Sequence, residues 1–220
     1  MKLFEKYRPK SFTEIVGQSR ALEQIDTLRK NGGLLGQCLY LTGGSGTGKT
    51  TIARLIAAEI ADEIFVEEID ADTLTTAKIA EIENDYRYGG GFFGGKSGRC
   101  YIVNECHGIK KSAFRLLLTV LERQPQHVTW IFTTTIDGGE SLFDDNIDAS
   151  PFLSRCVSIK LAQRDLARPF AEYARKIAQT ENLDGRPIEQ YVKLVQEKRN
   201  NLRAVLSEIA GGRMLAGNNS

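Results

Sequence analysis

Apolar and polar positions fall into blocks along this chain, and the period changes from block to block. Gln37 to Thr42 (QCLYLT) is a short apolar run and reads as a buried strand. Thr50 to Ala61 (TTIARLIAAEIA) carries apolar residues at helical spacing, and a glycine-rich loop separates the two. The alternation continues. Ile64 to Ile69 reads as a strand, and Thr73 to Tyr86 as a helix with Leu74, Ala77, Ile79 and Ile82 inward. Cys100 to Val103 reads as a strand, Ser112 to Glu122 as a helix, His127 to Thr134 as a strand, and Arg155 to Leu161 as the last strand. Strands alternating with helices predict an α/β fold, a parallel sheet covered by helices on both faces.

The pattern changes after Leu161. Leu166, Phe170, Tyr173, Ala174 and Ile177 form one helical stripe. Ile188, Tyr191, Val192 and Val195 form a second, started by Pro187, and Leu202, Val205, Leu206 and Ile209 form a third, ended by Gly211-Gly212. The expected organisation is an α/β domain over 1–162, a three-helix domain over 163–213 and a frayed tail over 214–220.

Composition narrows the class. The 220 residues are 41% hydrophobic and 26% charged, which excludes a mostly disordered chain. Lys plus Arg is 29 against Asp plus Glu 28, so any nucleic-acid binding must rest on a local patch. No apolar run approaches the roughly 18 residues of a membrane span. The start, MKLFEKYR, has no apolar signal core. The four cysteines are scattered without a Cys-x-x-Cys pair, so neither a zinc site nor a disulfide framework is expected, and a reducing cytoplasm is the simplest compartment.

Candidate chemistry begins in the first glycine cluster. Gly43-Gly44-Ser45-Gly46-Thr47-Gly48-Lys49-Thr50 fits G-x-x-x-x-G-K-[ST], with Thr51 next in the helix. Such glycines let backbone N–H groups curl around phosphate oxygens. Lys49 brings a cation to the β and γ phosphates of ATP, the Thr50 hydroxyl suits Mg²⁺, and the helix start adds the positive end of its dipole. Tyr101-Ile102-Val103-Asn104-Glu105 is a second element, an apolar strand whose polar end should lie beside that loop. An Asp-Glu pair is expected there. Asn104 can still hydrogen-bond a metal-bound water but carries no charge, and Glu105 is the candidate base. Cys106 and His107 read as packing residues without a role.

Five stretches, in order, resemble AAA+ ATPases of the clamp-loader class, the class of the bacterial gamma/tau and replication factor C small subunits. They are Glu5 to Phe12 with Ile15-Val16-Gly17-Gln18, the glycine loop, Asn104 to His107 with Phe114 to Glu122, Ser154-Arg155-Cys156, and Asn201-Leu202-Arg203-Ala204. The resemblance implies a P-loop parallel sheet followed by a helical lid. It implies that Tyr7, Arg8, Ile15 and Val16 cover the adenine. It places the sensor of the γ-phosphate at Thr134 or Thr135, which the residues leave open. It implies that Arg155 is an arginine finger toward a neighbouring subunit's ATP and that Arg203 is a second sensor. Lys110, Lys111 and Arg115 either touch template phosphates or form a solvated face. The aromatics of the loop from Gly89 to Gly98, Phe92 and Phe93 with Lys96 nearby, either stack on a partner or pin the loop. The acidic loop from Glu140 to Asp148 reads as solvated.

Asn104 departs from the family, there is no Cys cluster for a zinc module, and the chain stops where relatives carry a helical collar. Assembly through another surface, different partners or a truncated chain would each account for the last point. The expected function is an ATP-hydrolysing, clamp-loader-like subunit working with similar AAA+ subunits, a sliding clamp and primer-template DNA. The alternatives are a nucleotide-gated regulatory subunit with little hydrolysis, favoured by Asn104, and a phage or mobile-element AAA+ ATPase acting on DNA without a clamp.

Overall fold

Five strands form a sheet whose centre is apolar on both faces, and the computed structural model describes them within residues 1–86, 95–135 and 148–216. They are β1 (Cys38–Thr42), β2 (Val66–Asp70), β3 (Arg99–Asn104), β4 (Val128–Thr134) and β5 (Val157–Lys160), all parallel in the order β2-β3-β4-β1-β5. Every residue of β1 and β4 is buried, as expected for the centre of a parallel sheet. The edge strand β2 buries only Ile69. The predicted start of that strand is corrected accordingly. Glu63–Phe65 make a 3₁₀ turn instead, with Ile64 exposed at the sheet edge.

The helices on this sheet include α3 (Lys49–Ile60), α4 (Thr76–Asp85), α5 (Lys111–Glu122) and the short α6 (Ser150–Leu153). The Thr75 hydroxyl accepts from the Lys78 amide and fixes the start of α4. The buried stripe of α4 is Ile79 and Ile82, and Ala77, expected inward, lies on its exposed side. On one face of the sheet Tyr101, Trp130 and Phe132 stack in sequence, at 4.9 and 5.7 Å between ring centroids. Phe152 of α6 closes edge-on against Phe132 at 4.9 Å. The Trp130 Nε1–H donates to the Tyr86 hydroxyl at 2.9 Å, so the one polar atom of this buried indole is satisfied. Cys38 and Cys156, far apart in sequence, bring their free thiols to 2.7 Å where β1 and β5 begin.

By contact density the chain divides into two units, 23–43 with 49–160, and 1–22 with 44–48 and 161–220. This division differs from a single break after 162, because the N-terminal arm and loop residues Gly44–Gly48 group with the C-terminal helices. Those helices are α7 (Ala167–Thr180), α8 (Ile188–Glu197) and α9 (Leu202–Ala210). They bury Phe170, Ala174, Ile177, Tyr191, Val195, Val205 and Ile209 in one cluster, joined by Leu3 from α1 (Leu3–Lys6). Helix α2 (Ser19–Lys30) was not apparent in the hydrophobic pattern, because its buried stripe is only Ala21 and Ile25.

Met214 corrects the expected tail. It is 3% exposed and belongs to the helical cluster, so the fold extends past Gly212. Met214→Ala should therefore destabilise the protein by about 2 kcal/mol or more, as buried Met→Ala changes do. Urea unfolding followed by circular dichroism measures it; an unchanged midpoint would return Met214 to the tail.

Candidate functional site

Parallel α/β sheets bind ligands beyond the carboxyl ends of their strands. Here β3, β4 and β1 lie side by side, and their last residues are Asn104, Thr134 and Thr42. The Gly43 amide donates to the Thr134 carbonyl at 3.3 Å, which ties the start of the loop to β4. Gly46 and Gly48 have φ of +73° and +106°, values that a side chain would strain. The Thr47 hydroxyl donates to the Gly44 carbonyl at 2.7 Å inside the turn. Lys49 then opens α3. It is only 6% exposed, and its ammonium donates to the Gly43 carbonyl at 2.8 Å. Thr50 and Thr51 follow, both half-buried.

Three side chains meet around Asn104. Its Oδ1 accepts from Thr50 Oγ1 at 3.2 Å and from Thr133 Oγ1 at 3.1 Å, and its Nδ2 donates to Glu68 Oε1 at 2.6 Å. Glu68 in turn receives Arg54 Nε at 2.7 Å. Glu105 follows in the left-handed conformation, φ 49° and ψ 50°, which costs a non-glycine residue about 1–2 kcal/mol and is a mark of functional sites. Its Oε2 accepts from both the amide and the hydroxyl of Thr135, each at 3.2 Å. Thr134 is fully buried and its hydroxyl is hydrogen-bonded to His107 Nδ1 at 2.9 Å. The two threonines left open by the sequence thus have different partners, and Thr135 is the one that touches Glu105. His107, given no role above, also lies 3.5 Å from Glu105 Oε2. Cys106 is fully buried, and burial pushes its thiol up, which fits a packing residue.

Sequence reasoning missed two residues that hold the loop within the helical unit. Gln18 is 1% exposed. Its Nε2 donates to the Thr47 and Ala162 carbonyls at 3.2 and 3.3 Å, and its Oε1 accepts from the Ala162 amide at 2.7 Å. Asn201 caps α9 by accepting from the Ala204 amide at 3.1 Å, and its Nδ2 donates to Ser45 Oγ at 3.3 Å. Both residues stand in the quoted motifs, so a buried amide beside a glycine loop was the available signal.

The remaining predicted residues are placed as follows. Tyr7 donates its hydroxyl to Glu181 Oε1 at 2.5 Å, beside the Lys6 ammonium at 2.6 Å. Those two hydrogen bonds hold the Glu181 carboxyl below its usual range, and the first raises the Tyr7 phenol. Tyr7 and Val16 pack against the helical cluster, while Arg8 and Ile15 are half-buried. Arg203 is exposed, with its guanidinium 5.6 Å from the Phe4 ring centroid. Arg155 pairs with Glu122 and donates to the Pro151 carbonyl. Lys110, Lys111 and Arg115 are exposed at the start of α5, with no ion pair among the described residues. The Lys96 amide donates to Asp62 Oδ2 at 3.1 Å and its ammonium to the Ala58 carbonyl. Phe92, Phe93 and residues 140–147 lie outside the described residues.

The profile of the family described as "ATPase family associated with various cellular activities (AAA)" matches residues 39–147, from β1 past the end of β4. The chain carries an AAA domain. The chain is 32% identical to DNA polymerase III subunit gamma of Buchnera aphidicola subsp. Schizaphis graminum, over 72% of its own length and 47% of that protein's. It is 29% identical to DNA polymerase III subunit tau of Escherichia coli K12, over 74% of its own length and 27% of that protein's. The chain thus spans less than half the length of these relatives, and the likeness is consistent with the clamp-loader class of AAA+ proteins. Among solved structures, the Thermotoga maritima RuvB Holliday junction branch migration motor superposes with a TM-score of 0.69 at 20% identity, over 93% of this chain and 64% of that one. That likeness speaks for the AAA+ fold alone.

A Cβ at Gly46 would lie 2.0 Å from Asn201 Oδ1, whereas one at Gly44 would meet only Thr47 Cγ2 at an ordinary 3.5 Å. Gly46→Ala should destabilise the protein by about 1–2 kcal/mol from backbone strain alone, with the clash added. Gly44→Ala should stay within about 0.5 kcal/mol of the parent. Thermal unfolding of both variants is the check, and equal melting would contradict the described loop.

Proposed function

We propose that this domain binds ATP with Mg²⁺ and hydrolyses it as one subunit of an oligomer of AAA+ subunits, acting on a sliding clamp and primer-template DNA in cytoplasmic DNA replication. The observation that carries the reading is the buried ammonium of Lys49 at the mouth of a glycine loop, beside strand ends that supply Asn104, Glu105 and the Thr133–Thr135 run. A buried cation held by a backbone carbonyl is suited to an anion, and a triphosphate supplies one. The kinship with DNA polymerase III gamma and tau subunits supports the replication setting.

The residues fit Mg²⁺. No three His, Cys, Asp or Glu side chains form a metal cage among the described residues, and Mg²⁺ in nucleotide sites takes few protein ligands and several phosphate oxygens. Thr50 would hold the ion, with Asn104 accepting the Thr50 hydroxyl proton. When bound, Mg²⁺ neutralises charge on the β and γ phosphates. Glu105 is positioned by Thr135 to orient the attacking water, and His107 steadies Thr134 next to it. From the helical unit, Tyr7, Arg8, Ile15 and Val16 are proposed to cover the adenine, and Arg203 to sense the γ-phosphate. Lys110, Lys111 and Arg115 are proposed to meet template phosphates at the start of α5.

Arg155 is proposed as the finger for a neighbouring subunit's ATP. Its pair with Glu122 is partly exposed, at 29% and 55% of the side chains. Exposed pairs are worth roughly 0.2–1 kcal/mol, so the guanidinium can leave Glu122 readily. One observation favours the regulatory alternative. Asn104 brings no charge next to Thr50, and losses of this kind around a metal cost about 10–100-fold in metal affinity or activity. Slow turnover is expected on that ground.

Lys49→Ala should abolish nucleotide binding, read by calorimetric titration with a non-hydrolysable ATP analogue; unchanged affinity would reject the phosphate-loop role. Arg155→Ala should keep nucleotide binding and lose most hydrolysis, by about 10³-fold or more for a finger. Mixing it with the Lys49→Ala chain should restore some hydrolysis, since each supplies what the other lacks. Full hydrolysis by Arg155→Ala alone would remove the finger assignment.

A further inference from the structure

Asparagine and aspartate differ at position 104 in more than charge. An aspartate accepts through either oxygen, whichever way its carboxylate turns. An asparagine accepts through Oδ1 alone, and its Nδ2 can only donate. A Thr50 hydroxyl that turns its oxygen to a metal ion needs an acceptor for its proton. Asn104 serves only while Oδ1 faces Thr50.

The neighbouring hydroxyls do not enforce that orientation. Thr50 and Thr133 can each donate or accept, so they tolerate either end of the amide. Glu68 does not. It comes from β2, the strand beside β3, two residues before Asp70, which stands opposite Asn104 in the register. Its Oε1 takes the Asn104 Nδ2 proton at 2.6 Å, and its Oε2 is held by Arg54 Nε at 2.7 Å. A carboxylate accepts and never donates, so a turned amide would set Oδ1 against Glu68 oxygen at hydrogen-bond distance without a proton between them. Arg54 stands one helical turn after Thr50 on α3, so the chain of contacts Thr50, Asn104, Glu68, Arg54 closes on a single helix.

We infer that Glu68 is a positioning residue for the Mg²⁺-nucleotide site: it locks the Asn104 amide with its oxygen toward Thr50. The inference rests on the nucleotide-binding reading above. It carries a consequence that a merely structural glutamate would not. An aspartate in place of Asn104 needs no such lock, and its carboxylate would meet that of Glu68 as a like charge at close range. Glu68 therefore assists the native asparagine and opposes a substituted aspartate.

The test is the Mg²⁺ concentration for half-maximal binding of a fluorescent ATP analogue by the full chain. It is measured for the parent, Glu68→Ala, Glu68→Gln, Asn104→Asp and the Glu68→Ala/Asn104→Asp double variant. Glu68→Ala should raise the Mg²⁺ requirement about 10-fold in the parent and lower it in the Asn104→Asp background. Glu68→Gln should also raise the requirement, because a glutamine can present its NH2 as well as its oxygen to Asn104 and so no longer excludes the turned amide. A Glu68→Ala effect of the same sign in both backgrounds, no effect in the parent, or Glu68→Gln behaving as the parent would each overturn the inference. Failure of the parent to bind the analogue at all would overturn the nucleotide-binding reading itself, and the two failures are distinct.

Discussion

Burying the ammonium of Lys49 is the constraint that organises the carboxyl end of this sheet. Lysines are almost never this buried unless something compensates the charge. The Gly43 carbonyl compensates it in part, and the chain must turn tightly to bring that carbonyl back. The turn uses Gly46 and Gly48 at positive φ and the Thr47 hydroxyl inside the loop. What results is a cation faced by backbone groups, a place where an anion is favourable. Binding chemistry here follows from how the loop is built.

The strand ends around it are supported by packing beneath them as well as by the polar contacts of Asn104 and Glu105. Tyr101, Trp130 and Phe132 stack along one face of β3 and β4, and Phe152 closes on them. Interiors this dense resist small displacements, so Asn104, Glu105 and the Thr133–Thr135 run keep their spacing. Glu105 departs from the sheet in a left-handed turn just after β3. Within the helical unit, the Gln18 and Asn201 amides reach Thr47 and Ser45.

Much of the fold was legible because periodicity reports burial. The central strands read as continuous apolar runs, and α5 and α7 as regular stripes. Legibility failed where burial is one-sided or thin. Ile64 looked like strand yet sits exposed at an edge, and α2 hides behind a polar majority. Met214 looked like tail because a lone methionine after two glycines carries no period. For the site, the glycine loop and the Asn104-Glu105 pair were readable as motifs. Partners across the sheet were not. Nothing in the spacing of Glu68, Asn104 and Thr133 says that they meet; only the strand order brings them together.

If the loop and the first turn of α3 receive a nucleotide, their amides must feel it. Amide hydrogen exchange, compared with and without ATP and Mg²⁺, tests this most directly. Slowed exchange is expected to concentrate in Gly44 to Thr51, with Asn104 and Glu105 protected to a lesser degree. Saturating nucleotide that leaves the Gly44 to Thr51 amides unchanged, while protecting another surface, would contradict nucleotide binding at this loop.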